Sequence, residues 1–163
     1  MGCPARRATG GQSGSALMRE PELARQLIAE TVAGSSVPVT VKMRLGWDEH
    51  SLNARALAQI AEEEGAQMIT VHGRTRAQFY KGKADWARVQ TVVDGVALPV
   101  IVNGDIADTE DARSALEQSG AAGVMIGRAA LGRPWLIGRV AAGLAGRRGG
   151  EGVEAQGNEW RRE

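Results

Sequence analysis

The sequence predicts a parallel α/β fold, a buried sheet assembled from repeated strand–helix units. Three observations carry this. Four short runs are β-branched and almost continuously apolar, as strands buried on both faces are. Segments with a single apolar stripe at helical spacing lie between them. Successive strand patterns begin roughly 20–30 residues apart, the size of one βα unit.

Taken in order, the first helix begins at Pro21, which suits an opening turn, and carries Leu23, Leu27, Ile28 and Val32 on one face. The first strand pattern is 37–44, Val-Pro-Val-Thr-Val-Lys-Met-Arg. Ser51 is the expected N-cap of the next helix, with Leu52, Ala56, Leu57 and Ile60 inward and Gly65 as its stop. The second strand pattern is 68–74, Met-Ile-Thr-Val-His-Gly-Arg. Asp85 caps a short helix bearing Trp86, Val89 and Val93. The third strand pattern, 98–105, runs Leu-Pro-Val-Ile-Val-Asn-Gly-Asp. Asp108 caps a helix with Ala112 and Leu116 inward, closed by Gly120. The fourth strand pattern, 123–128, is Gly-Val-Met-Ile-Gly-Arg. Pro134 opens the last helix, with Leu136, Ile137, Val140 and Leu144.

One helix followed by four strand–helix units fits two architectures, an open doubly wound sheet and a (β/α)8 barrel. A whole barrel needs about 250 residues. Four units in 163 residues make half of one. The expected division is a partial barrel over 1–146 and a tail over 147–163. The tail is glycine-rich and polar without periodicity, which predicts disorder.

Composition narrows the function. A formal net charge of +1 gives no global field toward nucleic acid, so any RNA contact must be local. The single cysteine, Cys3, excludes an internal disulfide and a structural zinc site, and points to a reducing, cytoplasmic compartment. No apolar run approaches a membrane span, and Arg6 stands where a myristoylation signal wants Ser or Thr.

In parallel α/β folds ligands sit at the carboxyl ends of the strands. Those ends carry Lys42 and Arg44, then His72 and Arg74, then Asn103, Gly104 and Asp105, then Gly127 and Arg128. Gly104 and Gly127 either let the backbone approach a ligand or make plain tight turns. Arg128 would present a charged fork to a phosphate. Lys42, among apolar neighbours, either meets an anion or polar cofactor or sends its head past the strand end to water. His72 is a donor, a base or a satisfied core histidine. With no second His or Cys near it in sequence, a metal site is not expected. Cys3 is either a reactive group or an inert thiol. The cluster Arg74, Arg76, Lys81 and Lys83, with Phe79 and Tyr80 among them, is either an RNA contact or a solvated loop.

Seven motifs in order resemble bacterial tRNA-dihydrouridine synthases. They are Gly2-Cys3-Pro4-Ala5, Gly14-Ser15-Ala16-Leu17, Val41-Lys42-Met43-Arg44, His72-Gly73-Arg74-Thr75-Arg76, Asn103-Gly104-Asp105-Ile106, Met125-Ile126-Gly127-Arg128-Ala129-Ala130 and Gly132-Arg133-Pro134-Trp135. The closest likeness is to the B-type, nitrogen-regulation-like branch. The resemblance implies a TIM barrel that binds FMN and reduces uridine to 5,6-dihydrouridine in tRNA with NADPH. It implies that Cys3 is the proton donor on a mobile loop. Lys42 and His72 would stand at the flavin ring, and Asn103, Gly104, Asp105, Gly127 and Arg128 would cradle its phosphate. Arg44 and Arg74 would lie near the flavin and the RNA-facing mouth, as substrate-binding residues. It further implies about four preceding strands and a following helical domain, so the chain reads as the second half of a catalytic barrel, inactive alone. Two alternatives stand beside it: another FMN barrel of the dihydroorotate dehydrogenase kind, and a non-catalytic half barrel that associates with itself.

Overall fold

The structure is a computed structural model that describes residues 1–146; the disorder expected for 147–163 lies outside the described residues. Among the described residues four strands form one parallel sheet: β1 (Thr40–Arg44), β2 (Met68–His72), β3 (Val100–Asn103) and β4 (Gly123–Met125). Their spatial order is β1-β2-β3-β4. Each strand pairs with the next in sequence, and the order never reverses as it does at the switch point of a doubly wound sheet. The fold is therefore an α/β barrel segment of four strands. Six helices among the described residues accompany the sheet: α1 (Arg6–Thr9), α2 (Pro21–Ala33), α3 (Ala54–Glu63), α4 (Gln90–Val93), α5 (Thr109–Ser119) and α6 (Leu136–Leu144). A 3-10 turn, Gly14–Arg19, links α1 to α2. No helix among the described residues is long and apolar enough to cross a membrane.

Alternation along the strands sorts two faces. Val41, Met43, Ile69, Val71, Val100 and Val102 join one apolar core with helix residues such as Ile28, Leu57, Ala61, Val92, Ala112 and Ala115. The opposite face carries Lys42, Arg44, Thr70, His72 and Asn103. Lys42 on β1 reaches Asn103 on β3 across the intervening β2, Nζ donating to Oδ1 at 2.9 Å. Such contact between alternate strands is what a curved barrel interior produces.

Several expected details hold. Pro21 opens α2. Asp108 caps α5 by accepting from the Asp111 amide at 2.8 Å, and Gly120 closes it in the left-handed conformation. Others do not. The N-cap position of α3 is Asn53 rather than Ser51, because Gly46 and Leu52 form an antiparallel bridge that draws 46–52 into a small loop. Leu52 and Ala56 are consequently exposed, and Ala54, Leu57, Ala58 and Ala61 make the buried stripe. Leu27 and Ile137 are also exposed, while Ile28, Leu136 and Val140 are buried. Leu27 lines a shallow groove beside the free edge of β1, together with Leu17, Ile28, Val39 and Val41. β4, at the other edge, is only half-buried, with no further strand beside it among the described residues.

Candidate active site

The carboxyl ends of the four strands surround one cavity of about 630 Å³. Around it the structure gathers Cys3, Lys42, Arg44, His72, Asn103, Gly104, Asp105, Gly127 and Arg128, with Tyr80. Arg74 is not part of this lining; it lies behind it, 2% exposed.

The β1–β2 side of the cavity is tied together by its own polar groups. Asn103 takes Lys42 at its carbonyl oxygen and donates its amide to the Met125 carbonyl at 2.8 Å, so one side chain bridges β1 and β4. Burial, and then the neighbouring Arg44, lowers the Lys42 pKa from its ordinary value. Arg44 is buried and donates to three main-chain carbonyls: Gly2 at 3.0 Å, Thr75 at 2.8 Å and Phe79 at 2.8 Å. It thereby joins the Gly2-Cys3-Pro4 segment to the loop that follows β2. Arg74 donates to Lys81 O at 3.1 Å, Gly82 O at 2.7 Å and Asp105 Oδ2 at 2.6 Å, and faces His72 Nε2 at 3.2 Å. Both arginines act on loops of this chain.

Cys3 is exposed at the rim. Its carbonyl is held by Ser15, from the amide at 2.9 Å and the hydroxyl at 2.8 Å. Upstream, the Met1 nitrogen donates to Lys42 O at 2.9 Å. Gly14 makes this loop possible: its φ is +60°, and a Cβ there would stand 2.6 Å from the Cys3 carbonyl oxygen. Ser15, fully buried, is the site residue the sequence reading left without a role. Its motif was visible, but nothing in a serine's spacing shows that its partner is a carbonyl twelve residues away.

The β3–β4 side is different. Gly104 has φ +114°, and a Cβ would fall 2.7 Å from His72 Cδ2 and 2.8 Å from Ala84 Cβ. Its glycine is required by this chain's own packing. At Gly127 a Cβ would meet nothing within 4 Å. Among the described residues, the main-chain N–H groups of Asp105, Ile106, Gly127 and Arg128 donate to no protein acceptor. The Arg128 side chain is 63% exposed, 3.5 Å from Asp105 Oδ1, with its guanidinium over the Tyr80 ring at 4.8 Å. Burial alone would raise the Asp105 carboxyl; bonds from Arg74 and the Ala84 amide, with the Arg128 charge, outweigh it and hold the carboxyl below its ordinary value. Tyr80, between Arg44 and Arg128, was seen in the sequence only as part of a basic loop.

Fold and site together define an α/β barrel segment with a cationic cavity at its strand ends, suited to an anionic ligand. The chain belongs to the dihydrouridine synthase family, whose model matches residues 1–150. It is 56% identical over 147 residues to a probable tRNA-dihydrouridine synthase of Rhodobacter capsulatus, covering 90% of this chain and 45% of that protein. It is 44% identical over 137 residues to tRNA-dihydrouridine synthase B of Pseudomonas syringae pv. tomato, covering 84% of this chain and 41% of that one. The chain thus spans less than half the length of these curated relatives. Among solved structures, a mandelate oxidase variant with 2-hydroxy-phenylacetamide superposes with a TM-score of 0.48 at 20% identity, covering 75% of this chain and 50% of that one. Family membership sets aside the dihydroorotate dehydrogenase alternative.

Proposed function

We propose that this chain forms the later half of the catalytic barrel of an FMN-dependent enzyme that reduces uridine to dihydrouridine in cytoplasmic tRNA, with NADPH as reductant. The observation that carries this is the β3–β4 side of the cavity. A glycine with free space around it, main-chain N–H groups without protein partners and an exposed guanidinium suit a phosphate group. Gly127 and Arg128 would hold the phosphate by backbone and fork. Asn103, Gly104 and Asp105 would shape the same wall, Asp105 by holding Arg128 near the cavity rather than by touching an anion. Lys42 would set a positive charge beside the flavin ring, and His72 a polar contact to it. Bound FMN would supply hydride to one carbon of the uracil double bond. Cys3 would hold a proton at Sγ for the other carbon, the geometry a general acid needs. Arg44 and Arg74 would serve the substrate by fixing the loops at the mouth.

The test uses cells in which the gene carries Cys3→Ala. The expected result is purified protein with undiminished flavin and tRNA strongly depleted in dihydrouridine, since a general acid contributes roughly 10²–10⁴-fold to a rate. Unchanged dihydrouridine would remove Cys3 from the chemistry.

A second reading is favoured by the groove along the free edge of β1. There the chain would pair with a second copy, as unpaired edges and apolar strips do. Sedimentation of the isolated chain as a monomer would exclude it.

A further inference from the structure

We propose that Arg74 is a positioning residue that fixes the His72 ring as its Nδ1–H tautomer, so that His72 meets a ligand as a neutral hydrogen-bond donor and not as a base. Arg74 Nη1 stands 3.2 Å from His72 Nε2. A guanidinium only donates and keeps its proton in proteins, so Nε2 must offer its lone pair. A neutral imidazole carries one N–H, which leaves it on Nδ1.

The guanidinium cannot easily turn away. Lys81 O, Gly82 O and Asp105 Oδ2 take three of its other N–H groups, and Asp105 Oδ2 is itself held by the Ala84 amide at 2.7 Å. The ring is fixed from the same side. A Cβ at Gly104 would stand 2.7 Å from His72 Cδ2 and 3.0 Å from Nε2, so the Gly104 backbone packs against that edge. The Nδ1 edge is the one left for the cavity that His72 lines. Among the described residues Nδ1 has no protein partner, and it is not one of the partnerless side-chain atoms sealed from solvent, which are Asn53 Oδ1 and Arg76 Nε.

The charges around the ring keep it neutral. Burial comes first, then Arg44, Lys42 and Arg74, opposed only by Asp105; together they lower the His72 pKa to about 3. The acceptor that Nδ1–H would meet is an electron-rich oxygen or nitrogen. Its assignment to the flavin ring rests on the function proposed above; the tautomer does not.

The experiment is nitrogen NMR of the 163-residue chain labelled at histidine. Only two rings contribute, His72 and the exposed His50, so the spectrum is assignable with one substitution at His50. The expected result is an Nδ1-protonated pattern for His72, unchanged from about pH 5 to about pH 8, where an ordinary histidine titrates. Arg74→Met should mix the tautomers, while burial, Arg44 and Lys42 still keep the ring neutral across that range. Arg74→Lys, which keeps a charge and a donor, should retain much of the original pattern. An Nε2-protonated His72 in the unaltered chain, or ring signals indifferent to Arg74→Met, would overturn the proposal. If Arg74→Met does not fold, the unaltered chain and Arg74→Lys still decide it. Adding FMN separates the two claims. A shift of the Nδ1 signal supports both. An Nδ1–H pattern that ignores FMN overturns the flavin contact and leaves the role of Arg74 standing.

Discussion

The two sides of the cavity are built on opposite principles. On the β1–β2 side the three cations at the strand ends are engaged: Lys42 with Asn103, Arg44 with three carbonyls, Arg74 with two carbonyls, Asp105 and His72. On the β3–β4 side Gly127 has open space, nearby amides lack protein partners among the described residues, and Arg128 is mostly exposed. A wall satisfied by its own chain contributes shape and stability. A wall that is not satisfied contributes binding. Changes on the first side should therefore be read in folding, and changes on the second in ligand affinity.

The hardest test of this division is Gly104→Ala, because Gly104 follows β3 yet packs against His72 of the satisfied side. It forces a side chain into φ +114° and pushes a methyl group into His72 and Ala84. The expected loss is about 3 kcal/mol of folding stability, combining backbone strain with overpacking, measured by urea unfolding. A loss under about 0.5 kcal/mol, the size of an ordinary surface change, would show that this wall is not rigid.

Acid probes the same side without mutation. The folded chain keeps His72 unprotonated down to about pH 3, whereas the unfolded chain takes up a proton near the ordinary value of 6.5. Protons therefore favour the unfolded state across that window, and stability falls as pH falls through it. The contribution is at most about 1.4 kcal/mol per pH unit. Asp105, with its carboxyl held low, adds a loss at lower pH still. His72→Gln should flatten the dependence between about pH 6 and pH 4; an unchanged slope would mean that His72 is not the group responsible.

On the open side, Arg128→Gln should weaken the proposed FMN binding about tenfold, or roughly 1.4 kcal/mol, the scale of one charge-assisted bond. Stability should barely change. Flavin fluorescence titration and urea unfolding of the same sample read both. The smallest effect is expected from Gly127→Ala: a stability change of about 1 kcal/mol or less, with affinity lowered a few-fold. If Arg128→Gln destabilised the fold and left flavin binding intact, the contrast between the walls would be reversed.

Much of this arrangement was readable in advance, and the exceptions have local causes. Strand–helix alternation placed all four strands, because buried parallel strands need long apolar runs that little else resembles. The tips of those strands named the residues that now surround the cavity, except Arg74. Its place in the wall behind depends on a turn at 81–82 whose carbonyls point back, which side-chain spacing does not encode. Gly104 and Gly127 looked equivalent in sequence. Only the neighbours in space, a histidine ring for one and open volume for the other, tell them apart. Ser51 failed as a cap because a bridge outside the four strands claimed its loop, a tertiary preference overriding a local one.

The unbroken order of the sheet has a kinetic consequence. Thr40 pairs with Met68, Ile69 with Val100, and Ile101 with Gly123. Each step closes a loop of roughly 20–30 residues, the span of one βα unit, and no pairing among the described residues waits for a distant segment. Loop-closure entropy is therefore met in similar small instalments, and contact order stays low for a parallel sheet. The sheet can grow one strand at a time along the chain, in the direction in which the chain is made.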